Sequence, residues 1–428
     1  MISKVISVYS SVKNEIKKYD FTILYVLAAV LMGYYLLHDL LGGTFFSHCA
    51  WDSYTLQAMA WREGRVSLGQ NYTYLELATY NNDWYVSFPP VPSVFMLPWT
   101  YFYGYETPNN IIMIIYVMIT IFFAYLVARH FKMSSGKASF YACVLVLGSN
   151  MLWMSTMGGV WFQAQLLSMM LCTIATFAML KNKRVIAYIA VALAVGCRPF
   201  SIVYFLVLLV WFYFQDKKKY NKGFFITWLY QLEGWFAAAI IGISYMIYNY
   251  VRFNDPFEFG HNYLPEFLEA ENGQFSSVYF MENIKNIFTR KIEFAENGQL
   301  LFTEFDGFLF YIANPMFLIF FGCLIMCIIR KAIEVIKHEK LMITSNFVVM
   351  GMIVVALILN TCMLCVHKTF GGWQFGCRYM CDLLPFAYLF IMMAKKNKDK
   401  LTGGEITIGL LAILFNLYGT MWMKINQK

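Results

Sequence analysis

Long apolar runs separated by short basic clusters constrain this chain more than any other feature. Runs such as 21–41, 109–128, 159–180, 342–366 and 404–423 are almost free of charge. Each is about 20 residues long, enough to cross a bilayer core as a helix. Inside a bilayer every backbone polar group must be satisfied within its own segment, so such runs fold as helices. The pattern therefore predicts an all-α, polytopic transmembrane bundle. Only 14% of the 428 residues are charged, against about a quarter in soluble domains.

The basic residues gather in six clusters: Lys4 to Lys18, Arg129 to Lys137, Lys181 to Arg184, Lys217 to Lys222, Arg330 to Lys340 and Lys395 to Lys400. Placing all six on the cytoplasmic side satisfies the positive-inside rule and gives about eleven spans. These are roughly 21–41, 109–128, 138–157, 159–180, 184–197, 199–214, 223–250, 305–329, 342–366, 378–394 and 404–423. The net charge of +8 is thus a matter of topology and not a nucleic-acid footprint, and no nucleic-acid motif appears. The first run is too long for a signal-peptide core and no small-residue cleavage site follows it, so it is expected to be retained, with a cytoplasmic N-terminus. Spans 184–197 and 199–214 are short but flanked by basic clusters on both sides. They are expected to form a hairpin with Arg198-Pro199 at its outer tip.

The stretch Pro92 to Tyr105 is apolar but short, and carries Pro92 and Pro98. A crossing there would put the Arg129–Lys137 cluster outside. An interfacial or re-entrant helix on the outer side is expected instead, with Trp99, Tyr101, Phe102 and Tyr103 at the interface. The chain then forms one domain, 1–428, with sizeable outer segments at 42–108 and 251–304 and a shorter one from His367 to Arg378. Cytoplasmic connections are too brief to build a site, so any site faces outward. There is no internal repeat, low-complexity stretch or separate soluble domain.

Asp52 leads the candidates for chemistry. It lies between Trp51 and Tyr54, ten residues before Arg62, in the loop after the first span. A carboxylate beside an apolar surface and a cation can take a proton from an acceptor hydroxyl. The plainer reading is that Asp52 caps a helix starting at Ser53. Arg198, Arg252, Arg378 and Lys368 are cations at outer ends of spans, where basic residues are the exception. Arginine grips phosphate bidentately; the plainer alternatives are snorkelling to lipid headgroups, or pairing with Asp382 or Glu258. His261 and His367 sit in outer loops and could meet a sugar or phosphate, although a loop histidine is more often incidental. Asp306 opens a span kinked at Asn314-Pro315, adequately read as a capped helix. The ten cysteines fall mostly in apolar runs. Cys377 and Cys381, one turn apart near His367, read as a packed pair before a metal site. Asn71-Tyr72-Thr73 fits a glycosylation sequon, a pattern common by chance.

Several segments together resemble the GT-C class of integral membrane glycosyltransferases, which includes the protein O-mannosyltransferases and the lipid A aminoarabinose transferases. They are Trp51-Asp52-Ser53-Tyr54 with Glu63-Gly64-Arg65; Phe88-Pro89-Pro90-Val91-Pro92; Tyr248 to Pro256 with Gly260-His261; Phe305 to Tyr311 with Pro315; and Gly372 to Tyr379 ahead of Asp382 and Pro385. The resemblance spans about residues 21 to 395. It implies inverting transfer of a sugar from a polyprenyl-phosphate donor to a glycan, lipid or protein acceptor on the outer face of a plasma membrane, bacterial by its short loops. It also implies Asp52 as the base, with the phosphate held by Arg378 first and by Arg62, Arg198 and Lys368 behind it. His261 and Tyr379 complete the expected substrate-binding set. Ser53 stands where some members carry a second acid, so transfer is expected to need no metal and no cofactor. No soluble C-terminal domain of the oligosaccharyltransferase kind is expected. Two other classes stand beside this reading. A transporter or flippase of a lipid-linked sugar would want charges at mid-bilayer, and the span cores are nearly free of them. A non-enzymatic envelope-assembly subunit would not need Asp52 and the outer arginines together.

Overall fold

The computed structural model describes residues 20–302, 305, 307–337, 344–396 and 400–426. The Lys4–Lys18 cluster, Asp306 and parts of the last two basic clusters lie outside the described residues. Helix α1 (Thr22–Leu40) leads into a loop carrying α2 (Ser53–Arg62), an antiparallel hairpin of β1 (Leu77–Tyr80) and β2 (Asp83–Val86), and α3 (Val91–Tyr103). The bundle continues with α4 (Asn109–His130), α5 (Ser135–Leu147), α6 (Val160–Leu180), α7 (Arg184–Val195), α8 (Phe205–Tyr220) and α9 (Leu232–Phe253). A second loop bears α10 (Phe280–Thr289), followed by α11 (Met316–Ile336), α12 (Ser345–Cys365), α13 (Leu384–Ala394) and α14 (Gly403–Asn426). Short 3-10 turns precede α8 (Pro199–Tyr204) and α13 (Arg378–Leu383).

Among the described residues, eight helices are long and apolar enough to cross a membrane. The other three expected intervals hold the shorter helices α5, α7 and α13. Burial sorts the bundle into layers. Helix α6 is the hub, with 89% of its apolar window buried, and α4, α7 and α13 pack around it. Helices α9 and α11 bury only 17% and 22% of theirs and present Ile240, Ile243, Ile247, Ile325, Ile328 and Ile333 outward. A face that apolar has no place in water, and the chain is a multi-pass membrane protein.

The structure departs from the expected elements in three places. The bundle is not purely helical, because β1 and β2 pair from Leu77 with Val86 to Tyr80 with Asp83. Asn81 and Asn82 turn that hairpin with φ of 50° and 61°, the left-handed conformation that asparagine tolerates and two-residue hairpin turns require. A second, two-residue pairing joins Glu293–Phe294 to Leu300–Leu301. The expected span 305–329 begins its long helix only at Met316, since Asn314-Pro315 separates α11 from the short turn Phe310–Ala313. Helix α3 covers most of the Pro92–Tyr105 stretch, packs on α2, and is cut off from α4 at Gly104, whose φ is 59°.

One buried contact ties distant segments together. Asn150, after α5, donates its N–H to Asn314 Oδ1 at 2.9 Å and accepts from Asn314 Nδ2 at 2.9 Å and from the Cys377 N–H at 3.2 Å. Gly376 makes this crossing possible. Its φ is 69°, and a Cβ there would lie 2.4 Å from Asn150 Nδ2 and 2.5 Å from Ala313 Cβ. Gly376→Ala is expected to destabilise the fold by about 1–3 kcal/mol, read as a lower unfolding midpoint in detergent; an unchanged midpoint would show that the crossing is not tight.

Candidate active site

A cavity of about 1080 Å³ opens where the ends of α6, α7 and α12 meet the two large loops. Its bundle side carries the cations. Arg198 follows α7 in an extended conformation and starts the 3-10 turn into α8, while Arg378 starts the turn into α13. The Tyr379 ring lies between them, 4.6 Å from the Arg198 guanidinium and 4.8 Å from that of Arg378. Arg198 Nε donates to Asp382 Oδ2 at 2.9 Å. Gln165, on the first turns of α6, donates to Asp382 Oδ1 at 3.0 Å and to the Arg378 carbonyl at 2.9 Å. Arg378 itself has neutral partners: the Gly371 carbonyl at 2.8 and 3.1 Å and Gln165 Oε1 at 3.1 Å.

The loop side carries the carboxylates Glu76, Glu258 and Glu266 and two imidazoles. Ser87 Oγ donates to the Glu76 carbonyl at 3.1 Å, so the β1–β2 hairpin fixes the backbone from which the Glu76 side chain enters the cavity. Trp161 Nε1 donates to Glu76 Oε2 at 3.2 Å. Glu76 is exposed to the cavity, yet the surrounding walls displace much of its water, and this desolvation pushes its carboxyl above the ordinary glutamate range. His261 packs against Phe88 and Phe267. His367 donates from Nδ1 to the Thr369 carbonyl at 2.7 Å and accepts at Nε2 from Gln274 at 3.0 Å. Desolvation brings both imidazoles down to about 4, so both are neutral at pH 7.

Of the residues singled out from the sequence, Arg198, His261, His367, Arg378 and Tyr379 line this one cavity. Asp52 does not, although its neighbour Trp51 does. Asp52 is buried and caps α2, its Oδ1 accepting from the Tyr54 and Thr55 N–H groups at 3.0 and 3.1 Å. Its Oδ2 accepts from Thr55 Oγ1 and from Asn109 Nδ2, the latter at 2.8 Å. These four bonds fill the acceptor sites of a carboxylate. Arg62 is exposed, bonded to the Thr100 carbonyl and stacked on Tyr101 of α3. Lys368 donates to the Glu266 carbonyl at 2.7 Å, outside the cavity wall. Arg252 is buried under the hairpin, donating to the Val86 carbonyl at 2.7 Å and Asn249 Oδ1 at 2.9 Å. Cys377 and Cys381 are both buried, and Cys381 Sγ lies 3.4 Å from Asn314 Oδ1.

Sequence reasoning passed over Glu76, Trp161 and Gln165. Gln165 had a signal, since an amide inside an otherwise apolar span calls for a partner. Glu76, in a polar loop, had none.

No family model matches the sequence, and no curated protein matches it. Solved structures do. The oligosaccharyltransferase AglB of Archaeoglobus fulgidus, in complex with an inhibitory peptide and a dolichol-phosphate, superposes with a TM-score of 0.53 at 13% identity over 96% of this chain and 56% of that one. ArnT of Cupriavidus metallidurans, bound to undecaprenyl phosphate, gives 0.52 at 11% identity over 92% of this chain and 63% of that one. The chain has a GT-C-like fold. It spans a little more than half the length of these GT-C structures.

Within this fold the Arg198–Asp382 pair is a largely buried charge pair whose members need each other. Asp382→Ala is expected to cost about 3–5 kcal/mol, because it strands the Arg198 charge and a Gln165 donor. Thermal unfolding in detergent checks this; a loss under 1 kcal/mol would mean that solvent reaches the pair freely.

Proposed function

We propose that this protein is a glycosyltransferase that moves a sugar from a polyprenyl-phosphate donor to a hydroxyl acceptor on the non-cytoplasmic face of the membrane. The observation that carries the reading is the buried Arg378 guanidinium on the cavity wall, whose hydrogen-bond partners are all neutral. Asp382 already balances Arg198, so Arg378 is the cation with charge left for a ligand. Tyr379 and Arg198 stand beside it, giving a planar, multi-donor surface suited to a phosphate. Dolichol-phosphate and undecaprenyl phosphate in two GT-C-fold neighbours support a lipid phosphate as the ligand class.

In this reading the lipid tail lies between spans, and the phosphate rests against Arg378 with Arg198 and Tyr379 flanking it. His261, neutral, offers a hydrogen bond to the sugar. Transfer is a single displacement, which inverts the anomeric centre. The arginines, in place of a metal ion, neutralise the phosphate as it leaves, the larger share of the rate enhancement. A carboxylate must take the acceptor's proton. Asp52, which the sequence nominates, would have to release Thr55 or Asn109 before it could do so.

The test is transfer in nanodiscs from a panel of radiolabelled polyprenyl-phosphate sugars, with membrane extract as acceptor. Wild type is expected to transfer from one of them, and Arg378→Ala to lose about 10²–10³-fold, with Arg378→Lys intermediate. No transfer from any donor, together with movement of a lipid-linked sugar across the bilayer, would replace this reading with that of a flippase.

A further inference from the structure

We infer that Glu76 is the base that takes the acceptor's proton, an inference that rests on the glycosyltransferase reading above. Three carboxylates line the cavity, and their surroundings separate them. Glu258 serves as a loop brace, with a donor on each oxygen: its Oε1 accepts from the Gly260 N–H and its Oε2 from Asn262 Nδ2. Glu266 is exposed, and no side-chain hydrogen bond holds it among the described residues. Glu76 is both held and open. The hairpin pins its backbone, Trp161 Nε1 pins one carboxylate oxygen at 3.2 Å, and no other hydrogen bond among the described residues occupies the carboxylate. An incoming hydroxyl therefore finds a free acceptor at a fixed position.

The surroundings of Glu76 suit a sugar or other polyol. Trp161 stands on the first turn of α6 with its ring 6.2 Å from that of Trp51, and Trp51 lies 6.0 Å from Tyr74. Trp51 is 45% exposed although it sits beside the cavity. An exposed aromatic surface next to a carboxylate suits a carbohydrate, the rings meeting the apolar C–H face and the carboxylate the hydroxyls. Charge is also distributed by element: the bundle ends supply Arg198 and Arg378, and the loops supply Glu76. A displacement needs that separation, because the leaving phosphate and the departing proton go to different groups.

The acceptor oxygen bonds to the anomeric carbon while the bond from that carbon to the phosphate oxygen breaks. The electron pair leaves with the polyprenyl phosphate, and the hydroxyl proton passes to Glu76 and then to cavity water. Desolvation raises the Glu76 pKa, which strengthens the base and moves its working range upward. Activity needs the ionised form, so kcat/KM should rise with pH through the Glu76 pKa, above the ordinary glutamate range.

The test uses the full chain in nanodiscs with the donor identified by the panel, comparing wild type, E76Q, E76D and D52N at matched unfolding midpoints. The expected results for E76Q are a fall in kcat of about 10²–10⁴-fold, little change in donor KM, and loss of the acidic limb of the pH profile. Azide, a nucleophile with no proton to lose, should restore donor consumption by E76Q as glycosyl azide. E76D should be intermediate. D52N keeps a capping side chain and should retain at least about a tenth of the rate. E76Q within about threefold of wild type, E76Q raising KM without azide rescue, or D52N losing transfer that E76Q keeps would each overturn the inference. Absence of transfer by wild type from every donor of the panel, together with movement of a lipid-linked sugar across the bilayer, would overturn the glycosyltransferase reading itself, and the inference with it.

Discussion

Asp382 sits between Arg198 and Gln165 at the buried end of the bundle, with one carboxylate oxygen on each. A lone charge there would cost several kcal/mol in lost hydration, so the three side chains have little freedom to part. Gln165 extends the linkage by holding both the carbonyl and the guanidinium of Arg378, and Tyr204 adds a hydroxyl to the Asp382 carbonyl at 2.6 Å. Helix α6, the turn after α7 and the segment before α13 are thereby locked into one wall. The ratio of charges on it matters as much as the geometry. Asp382 pairs with Arg198 alone, and the cation without an acidic partner is the one the proposed function uses.

The second wall is built on different principles. The loops cannot rely on lipid to enforce helical structure, and they hold shape through turns and caps. Asp52 caps α2, two asparagines turn the β1–β2 hairpin, and Asn109 bonds back to Asp52 and to the Cys49 N–H at 2.8 Å. Arg252 fastens the hairpin to α9 from below. The result presents Trp51, Glu76 and Phe88 to the cavity from three separate points of one loop. The loop wall, with its aromatic rings and carboxylates, faces the cationic bundle wall across the cavity.

Much of the bundle was legible in the sequence because bilayer physics leaves few choices. Runs of about 20 apolar residues become helices, and each expected interval holds one, though Asn314-Pro315 delayed the start of α11 and the runs at α5, α7 and α13 gave shorter helices. Arg198 and Arg378 stood out because cations are rare at the span ends away from the basic clusters, and both line the cavity. The same rule also picked out Lys368 and Arg252, which brace backbone carbonyls. An arginine's position in a span does not say which way its side chain turns. Asp52 illustrates the same ambiguity: the residue types that start a helix are also those that do acid–base chemistry, and in this structure the carboxylate is spent on the cap.

What the sequence by itself determined was the membrane-spanning architecture, the two large loops and the set of polar residues that any site would have to draw on. Hydropathy is a local property of each segment, and it survives without knowledge of neighbours. The tertiary structure alone decided which polar residues meet. Gln165, Asp382 and Arg198 are far apart in the chain and come together only when α6 is central. Glu76 reaches the cavity only because a hairpin sets its backbone and an indole from another element fixes its carboxylate. A hydrogen bond needs atoms within about 3 Å, and that is a fact about packing, which no spacing along this chain records.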